Sequence, residues 1–235
     1  MTSKTSQLRA VSNQEQPASD PAESVTISAD LVVLSDPTGP AAESIRHLRT
    51  RIIAQHLDHG RRTLALASPA KDSGCTFVAA NLAVAFAQVG TRVLLVNGDM
   101  RQPDMDELFG EKTSESGLAQ YLESSSMRPD QVTETEILPN LWFTPSGGQP
   151  LNPQELLSTP RFERFINISL RQFDLVIVDT PPANLYADAQ RIASVAGYAV
   201  LVGRRNQTYA HDLAELSRQM AADRICLVGT VLNEA

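Results

Sequence analysis

The hydrophobic pattern of this 235-residue chain changes character along its length. Over residues 1–28 large apolar side chains are scarce, and Ser, Gln, Glu, Pro and Ala dominate. Such a stretch buries too little surface to offset its chain entropy and is predicted to be a disordered tail. Asp36-Pro37 and Gly39-Pro40 then punctuate a turn. Residues 41–56 follow, with Ile45, Leu48 and Ile52 at helical spacing among polar neighbours, which predicts a helix with one apolar stripe. From Thr63 onward short continuous apolar runs alternate with longer helical stretches. The runs fall at 63–67, 92–96, 141–143, 175–178, 198–202 and 225–228. Apolar character at consecutive positions, rather than at every second one, suits parallel strands covered on both faces. Helices are predicted between them, among them 77–88, closed by Gly90 as a C-cap, and 212–222. Strand alternating with helix over 29–235 predicts one α/β domain, a doubly wound and mostly parallel sheet. Its ligand is expected beyond the carboxyl ends of the strands.

Composition narrows the picture slightly. The apolar fraction of 42% is ordinary for a globular protein, and a net charge of −7 argues against broad nucleic-acid binding. No apolar run approaches the roughly 18 residues that a membrane span needs, and the first residues lack a signal-peptide core, so a cytosolic chain is expected. Cys75 and Cys226 give neither a disulfide framework nor a zinc spacing. Cys226 lies in an apolar run and is predicted to be core. The four histidines show no metal spacing.

The candidate chemistry sits at the ends of the predicted strands. "SPAKDSGCTF", residues 68–77, joins the first strand to an alanine-rich helix. A glycine-bearing turn feeding a helix N-terminus presents unpaired amides to a phosphate. A phosphate-binding P-loop ends Gly-Lys-Ser/Thr; this one reads Gly74-Cys75-Thr76, complete but for its lysine. Thr76 stands where such a loop places a magnesium-ligating hydroxyl. The run ending at Val96 continues into Asn97-Gly98-Asp99-Met100-Arg101, and the run ending at Val178 into Asp179-Thr180-Pro181-Pro182. A carboxylate at a strand tip can hold a magnesium shell, so Asp99 and Asp179 are candidate catalytic residues and Thr76 and Asp179 candidate metal ligands.

With these residues in order, the chain from about 31 to 234 resembles the bacterial tyrosine kinases and the related cytoplasmic ATPase domains of polysaccharide co-polymerase systems. These have a P-loop α/β fold of the deviant Walker, partitioning-ATPase-like type. Glu43, Arg46 and Arg49 match the family's Glu-x-x-Arg-x-x-Arg helix, which the resemblance assigns to a homo-oligomer interface. Ala79-Ala80-Asn81-Leu82-Ala83 matches the helix after the P-loop, and Asp99-Met100-Arg101-Gln102-Pro103 the motif after the second strand. Asn152-Pro153-Gln154-Glu155-Leu156-Leu157, Val178-Asp179-Thr180-Pro181-Pro182 and Gly229-Thr230-Val231-Leu232-Asn233 match later landmarks. The resemblance implies ATP or ADP with Mg²⁺, bound by Ser73, Gly74, Cys75, Thr76 and Phe77, with Asn233 near the base. It further implies cytoplasmic localisation at the inner face of the plasma membrane. There an integral-membrane co-polymerase controlling polysaccharide length and export would be the partner.

The chain also departs from the family. Cys75 removes the loop cation, and Asn97 replaces the first carboxylate of an Asp-x-Asp motif. The scattered tyrosines Tyr121, Tyr186, Tyr198 and Tyr209 provide no terminal tyrosine cluster. Partitioning ATPases carry a further loop lysine where this chain has Ala70; Lys71 is displaced from it by one position. Three readings follow. The chain is a kinase-like regulator of exopolysaccharide assembly with weakened or lost catalysis, an active tyrosine kinase helped by Lys71 or a partner, or a partitioning ATPase.

Overall fold

The structure, a computed structural model, describes residues 28–109, 116–133 and 136–234. The tail expected at 1–28 lies outside these residues except for Ser28. Six strands form one sheet: β1 (Thr63–Ala67), β2 (Val93–Asn97), β3 (Leu141–Thr144), β4 (Leu175–Asp179), β5 (Tyr198–Arg204) and β6 (Cys226–Asn233). They lie in the order β3-β2-β4-β1-β5-β6, with every pairing parallel. The predicted strands are all present, and most run one or two residues further at their carboxyl ends than the apolar runs suggested. Those extensions are the polar tips Asn97, Thr144, Asp179 and Arg204. The ladder carries them because their backbones still pair, whatever their side chains prefer.

Consecutive apolar residues serve opposite faces of the sheet, as a period of two requires. Leu64, Leu66, Leu95, Ile177 and Val200 enter one core, with α2 (Pro40–Gln55) and α3 (Cys75–Ala87). Ala65, Ala67, Val96, Val178 and Leu201 enter the other. Covering that second face are α4 (Leu118–Glu123), α5 (Pro153–Ser158), α6 (Pro160–Ser169), α7 (Asp188–Ala196) and α8 (Ala210–Ala222). Helix α3 is buried nearly all round, which its alanines permit: Ala79, Ala80, Ala83 and Ala85 let it lie close to the sheet and to α2. Its one buried polar side chain, Asn81, is fully used. Its amide donates to the Asp30 and Phe77 carbonyls and its Oδ1 accepts from the Val33 N–H. This pins the short helix α1 (Val32–Ser35) onto α3 and offsets the cost of burying an amide.

Strand β6 departs from the expectation. It is an edge strand whose residues are all exposed or half-buried, and Cys226 is exposed rather than core. An apolar run reads the same at the centre of a sheet and at its edge, so periodicity could not separate the two. Among the described residues no helix is long and apolar enough to cross a membrane.

Candidate active site at the strand carboxyl ends

Strand β1 lies at the switch point of the sheet, with β4 on one side and β5 on the other. Its carboxyl end opens into the loop 68–74, which wraps a cleft of about 220 Å³. Ser68 and residues 70–76 line it together with Asp99, Gln102, Asp104, Thr180 and Pro182. The loop is held from within by the Ser68 and Ser73 hydroxyls, which both donate to the Ala70 carbonyl, at 3.0 and 2.7 Å. From outside, an Arg204 Nη1–H donates to the Asp72 carbonyl at 3.1 Å and the Asn233 amide to the Ser73 carbonyl at 3.3 Å. Gly74 turns the chain into α3 with a φ of 77°. A Cβ there would lie 2.0 Å from Asn233 Nδ2, so both backbone and space call for glycine.

Beneath the loop lies the polar centre. The Thr76 hydroxyl donates to Asp179 Oδ2 at 2.6 Å, while the buried Asp179 Oδ1 has no hydrogen-bond partner. Burial pushes the Asp179 carboxyl up to about 7, against the opposing pull of the Thr76 hydroxyl and the nearby Cys75 thiol. Cys75 is itself buried, and desolvation with the neighbouring Asp179 drives its thiol well above the ordinary range. A helix N-terminus alone would lower a thiol's pKa. Here burial and the carboxylate outweigh it, so Cys75 is a neutral thiol.

Parallel pairing puts Asn97 directly beside Asp179. Gly98 permits that approach: its N–H donates to the Asp179 carbonyl, and a Cβ would stand 2.5 Å from that oxygen. Asn97 Oδ1 accepts the Asp99 N–H at 3.1 Å. Asp99 Oδ1 in turn accepts the N–H groups of Arg101 and Gln102, both at 2.9 Å. Burial nevertheless raises the Asp99 carboxyl above its usual value. With an amide at 97, this position adds no charge to the buried carboxylates of Asp99, Asp179 and Asp188 at this end of the sheet.

Ser73, Gly74, Cys75, Thr76 and Asp99 therefore meet on one cleft, with Asp179 and Asn97 just below it. Phe77 faces elsewhere, into an apolar cleft of about 420 Å³ against Ile45, Leu48 and Leu232. Asn233 lines this second cleft and donates to the Ser73 carbonyl of the nucleotide loop. On α2, Glu43 pairs with Arg46 and His47, each at 3.3 Å. Arg49 is engaged within its own chain, donating to the Ala85 carbonyl at 2.9 Å. Sequence reasoning missed Arg204, whose position at the tip of β5 was its only signal. It also missed the pairing of Arg101 with Asp188, which joins the loop after β2 to the first turn of α7.

No family model matches the chain. EpsB of Ralstonia solanacearum is 36% identical over 197 residues, which cover 84% of this chain and 26% of EpsB. The chain thus spans about a quarter of that relative's length. The tyrosine-protein kinase YwqD of Bacillus subtilis is 31% identical over 204 residues, covering 87% of this chain and 85% of YwqD. Among solved structures, the kinase domain of the Escherichia coli tyrosine kinase ETK superposes with a TM-score of 0.82 at 27% identity, over 87% of this chain and 80% of that one. The septum-site protein MinD of Pyrococcus horikoshii, complexed with Mg-ADP, gives a TM-score of 0.62 at 19% identity over 73% of this chain and 69% of that one; this likeness extends to the fold alone. The near-complete match to YwqD and the strand-tip constellation carry one conclusion: the chain belongs to the bacterial tyrosine kinase family.

Proposed function

We propose that residues 29–235 form a P-loop tyrosine-kinase-like domain that binds magnesium–nucleotide weakly and regulates polysaccharide assembly, with phosphotransfer reduced or lost. It acts in the cytoplasm beside an integral-membrane co-polymerase. The observation that carries this reading is the state of Cys75, a buried neutral thiol where a loop lysine would stand. The metal end of the site fits: the Thr76 hydroxyl and the unpartnered Asp179 Oδ1 are hard oxygens at the cleft floor. Bound magnesium would supply charge neutralisation to phosphate oxygens. The loop amides would orient those oxygens at the start of α3. No side chain equivalent to a loop lysine reaches them from position 75. Asn97 can accept a hydrogen bond but cannot take a proton from an acceptor hydroxyl.

A charge-assisted hydrogen bond contributes ~1.5–3 kcal/mol, so nucleotide affinity is expected to rise ~10- to 100-fold in Cys75→Lys, at 1.4 kcal/mol per decade. Titration calorimetry with Mg-ATP measures this, and unchanged affinity would mean that the loop does not hold phosphate in the family's way. Residues that act as a unit are non-additive when removed. Cys75→Lys should therefore restore binding more than turnover, and adding Asn97→Asp should bring measurable hydrolysis of ATP.

One observation favours a second reading. Lys71 lines the same cleft. Its flexible stem can carry a cation towards a bound phosphate, which would leave the chain an active kinase. Phosphotransfer from labelled ATP to a tyrosine peptide by the unaltered protein, lost in Lys71→Ala, would establish that reading instead.

A further inference from the structure

A cleft of about 690 Å³ lies away from the nucleotide loop, between α6 and the loop 125–129. Arg128, Arg161, Arg164 and Arg171 line it against a single acid, Glu163, in a chain whose net charge is −7. Arg161 builds the concavity. Its guanidinium donates to the carbonyls of Tyr121, Ser125 and Met127 at 2.9, 3.2 and 3.1 Å, and it stacks over the Tyr121 ring at 4.4 Å. One arginine thereby fastens the opposite wall to α6. Arg128 on that wall is held by Asp130. Arg164 and Arg171 are exposed and, among the described residues, form no ion pair.

We infer that this cleft docks an acidic peptide segment of a protein partner, through Arg164 and Arg171. Like charges gathered around one cleft repel in the absence of an anion, and arginine forks match carboxylates two bonds at a time. Arg164 stands on α6, and Arg171 lies in the turn just after the helix ends at Ser169, so the two cations flank the cleft along its length. Glutamates three residues apart on a polyproline-II chain, which repeats every three residues, share one face about 9 Å apart. The floor offers the apolar surface of Met127, Pro129 and Ile168 to the peptide's own stems. A sugar chain would want an exposed aromatic platform, and among the described residues the one aromatic side chain lining the cleft, Tyr121, is buried beneath Arg161. The inference stands apart from the nucleotide reading, since none of these residues lines the loop cleft.

The test is fluorescence anisotropy with the full chain and a short Gly/Ser peptide carrying two glutamates three residues apart. The peptide should bind at low salt and weaken as salt screens the contact. Arg164→Gln/Arg171→Gln, or glutamine in place of the peptide's glutamates, should each weaken binding at least about tenfold. Glu163→Gln, which removes the opposing charge without touching the arginines, should tighten it. Mg-ATP titration should give the same result in the arginine variant as in the wild type. Absence of peptide binding, or undiminished binding in the double variant, overturns the inference. So does arginine-dependent binding of alginate or tripolyphosphate where the peptide fails, which would reassign the cleft to another polyanion.

Discussion

Asp179 holds the Thr76 hydroxyl on one oxygen, has the Cys75 thiol close by, and keeps its Oδ1 without a hydrogen-bond partner; its carboxyl is displaced to about 7 from an ordinary 3.8. Desolvation dominates, because a buried carboxylate loses water that a hydroxyl and a thiol cannot replace. A folded-state value above the unfolded one means the folded chain keeps a proton that the unfolded chain has released. That contribution to stability is fully present below the unfolded value and is lost as pH rises through about 7, by at most roughly 4 kcal/mol at ~1.4 kcal/mol per unit. Thermal melts without ligand should therefore fall across this window, and Asp179→Asn should flatten the fall. Parallel melting curves for the two proteins would contradict the assignment of the carboxyl. The sequence showed that an aspartate ends an apolar strand. It did not show that the neighbour supplied by another strand is Asn97, or that Cys75 would be sealed beneath the loop, since those facts depend on register and depth.

Between elements, the decisive contact is Arg101 with Asp188. The guanidinium leaves the end of β2 and meets the buried carboxylate of the first turn of α7 through Nε at 2.7 Å and Nη2 at 3.2 Å. Its flat face lies 4.0 Å from the centre of the Tyr186 ring. The arrangement braces the loop bearing Asp99 against the loop that follows Asp179. Removing one partner of a buried pair leaves an uncompensated charge, so Arg101→Ala should destabilise by ~3–5 kcal/mol in urea unfolding. A loss below about 1 kcal/mol would mean the pair is no stronger than an exposed one. Arg101 was legible as the end of a motif, but the pairing was not, because Asp188 lies 87 residues further on. The apolar stripe of α2, by contrast, was legible, since Ile45 and Ile52 at helical spacing are buried as the period demands.

At the scale of the whole molecule, the resemblance assigns oligomerisation to the start of α2, where Glu43 and Arg46 are partly exposed and Arg49 is tied to α3. Light scattering of Glu43→Ala/Arg46→Ala beside the wild type separates interface from intrachain roles, which Arg49→Ala would mix. A lower mass for the variant is expected, and equal masses would remove the interface. The chain's pattern by itself determined the fold class: six apolar runs alternating with helical stretches admit little but a covered parallel sheet. It also determined which loop could face a phosphate, because glycine, hydroxyl and helix start are contiguous residues. Only the tertiary structure decided the rest. It made β6 an exposed edge, left the Cys75 thiol neutral, set Phe77 in a separate cleft and gathered arginines around α6. The physical reason is range. Propensity and periodicity act over a few residues, whereas burial, pKa and charge clustering arise from segments that meet only when the sheet has closed.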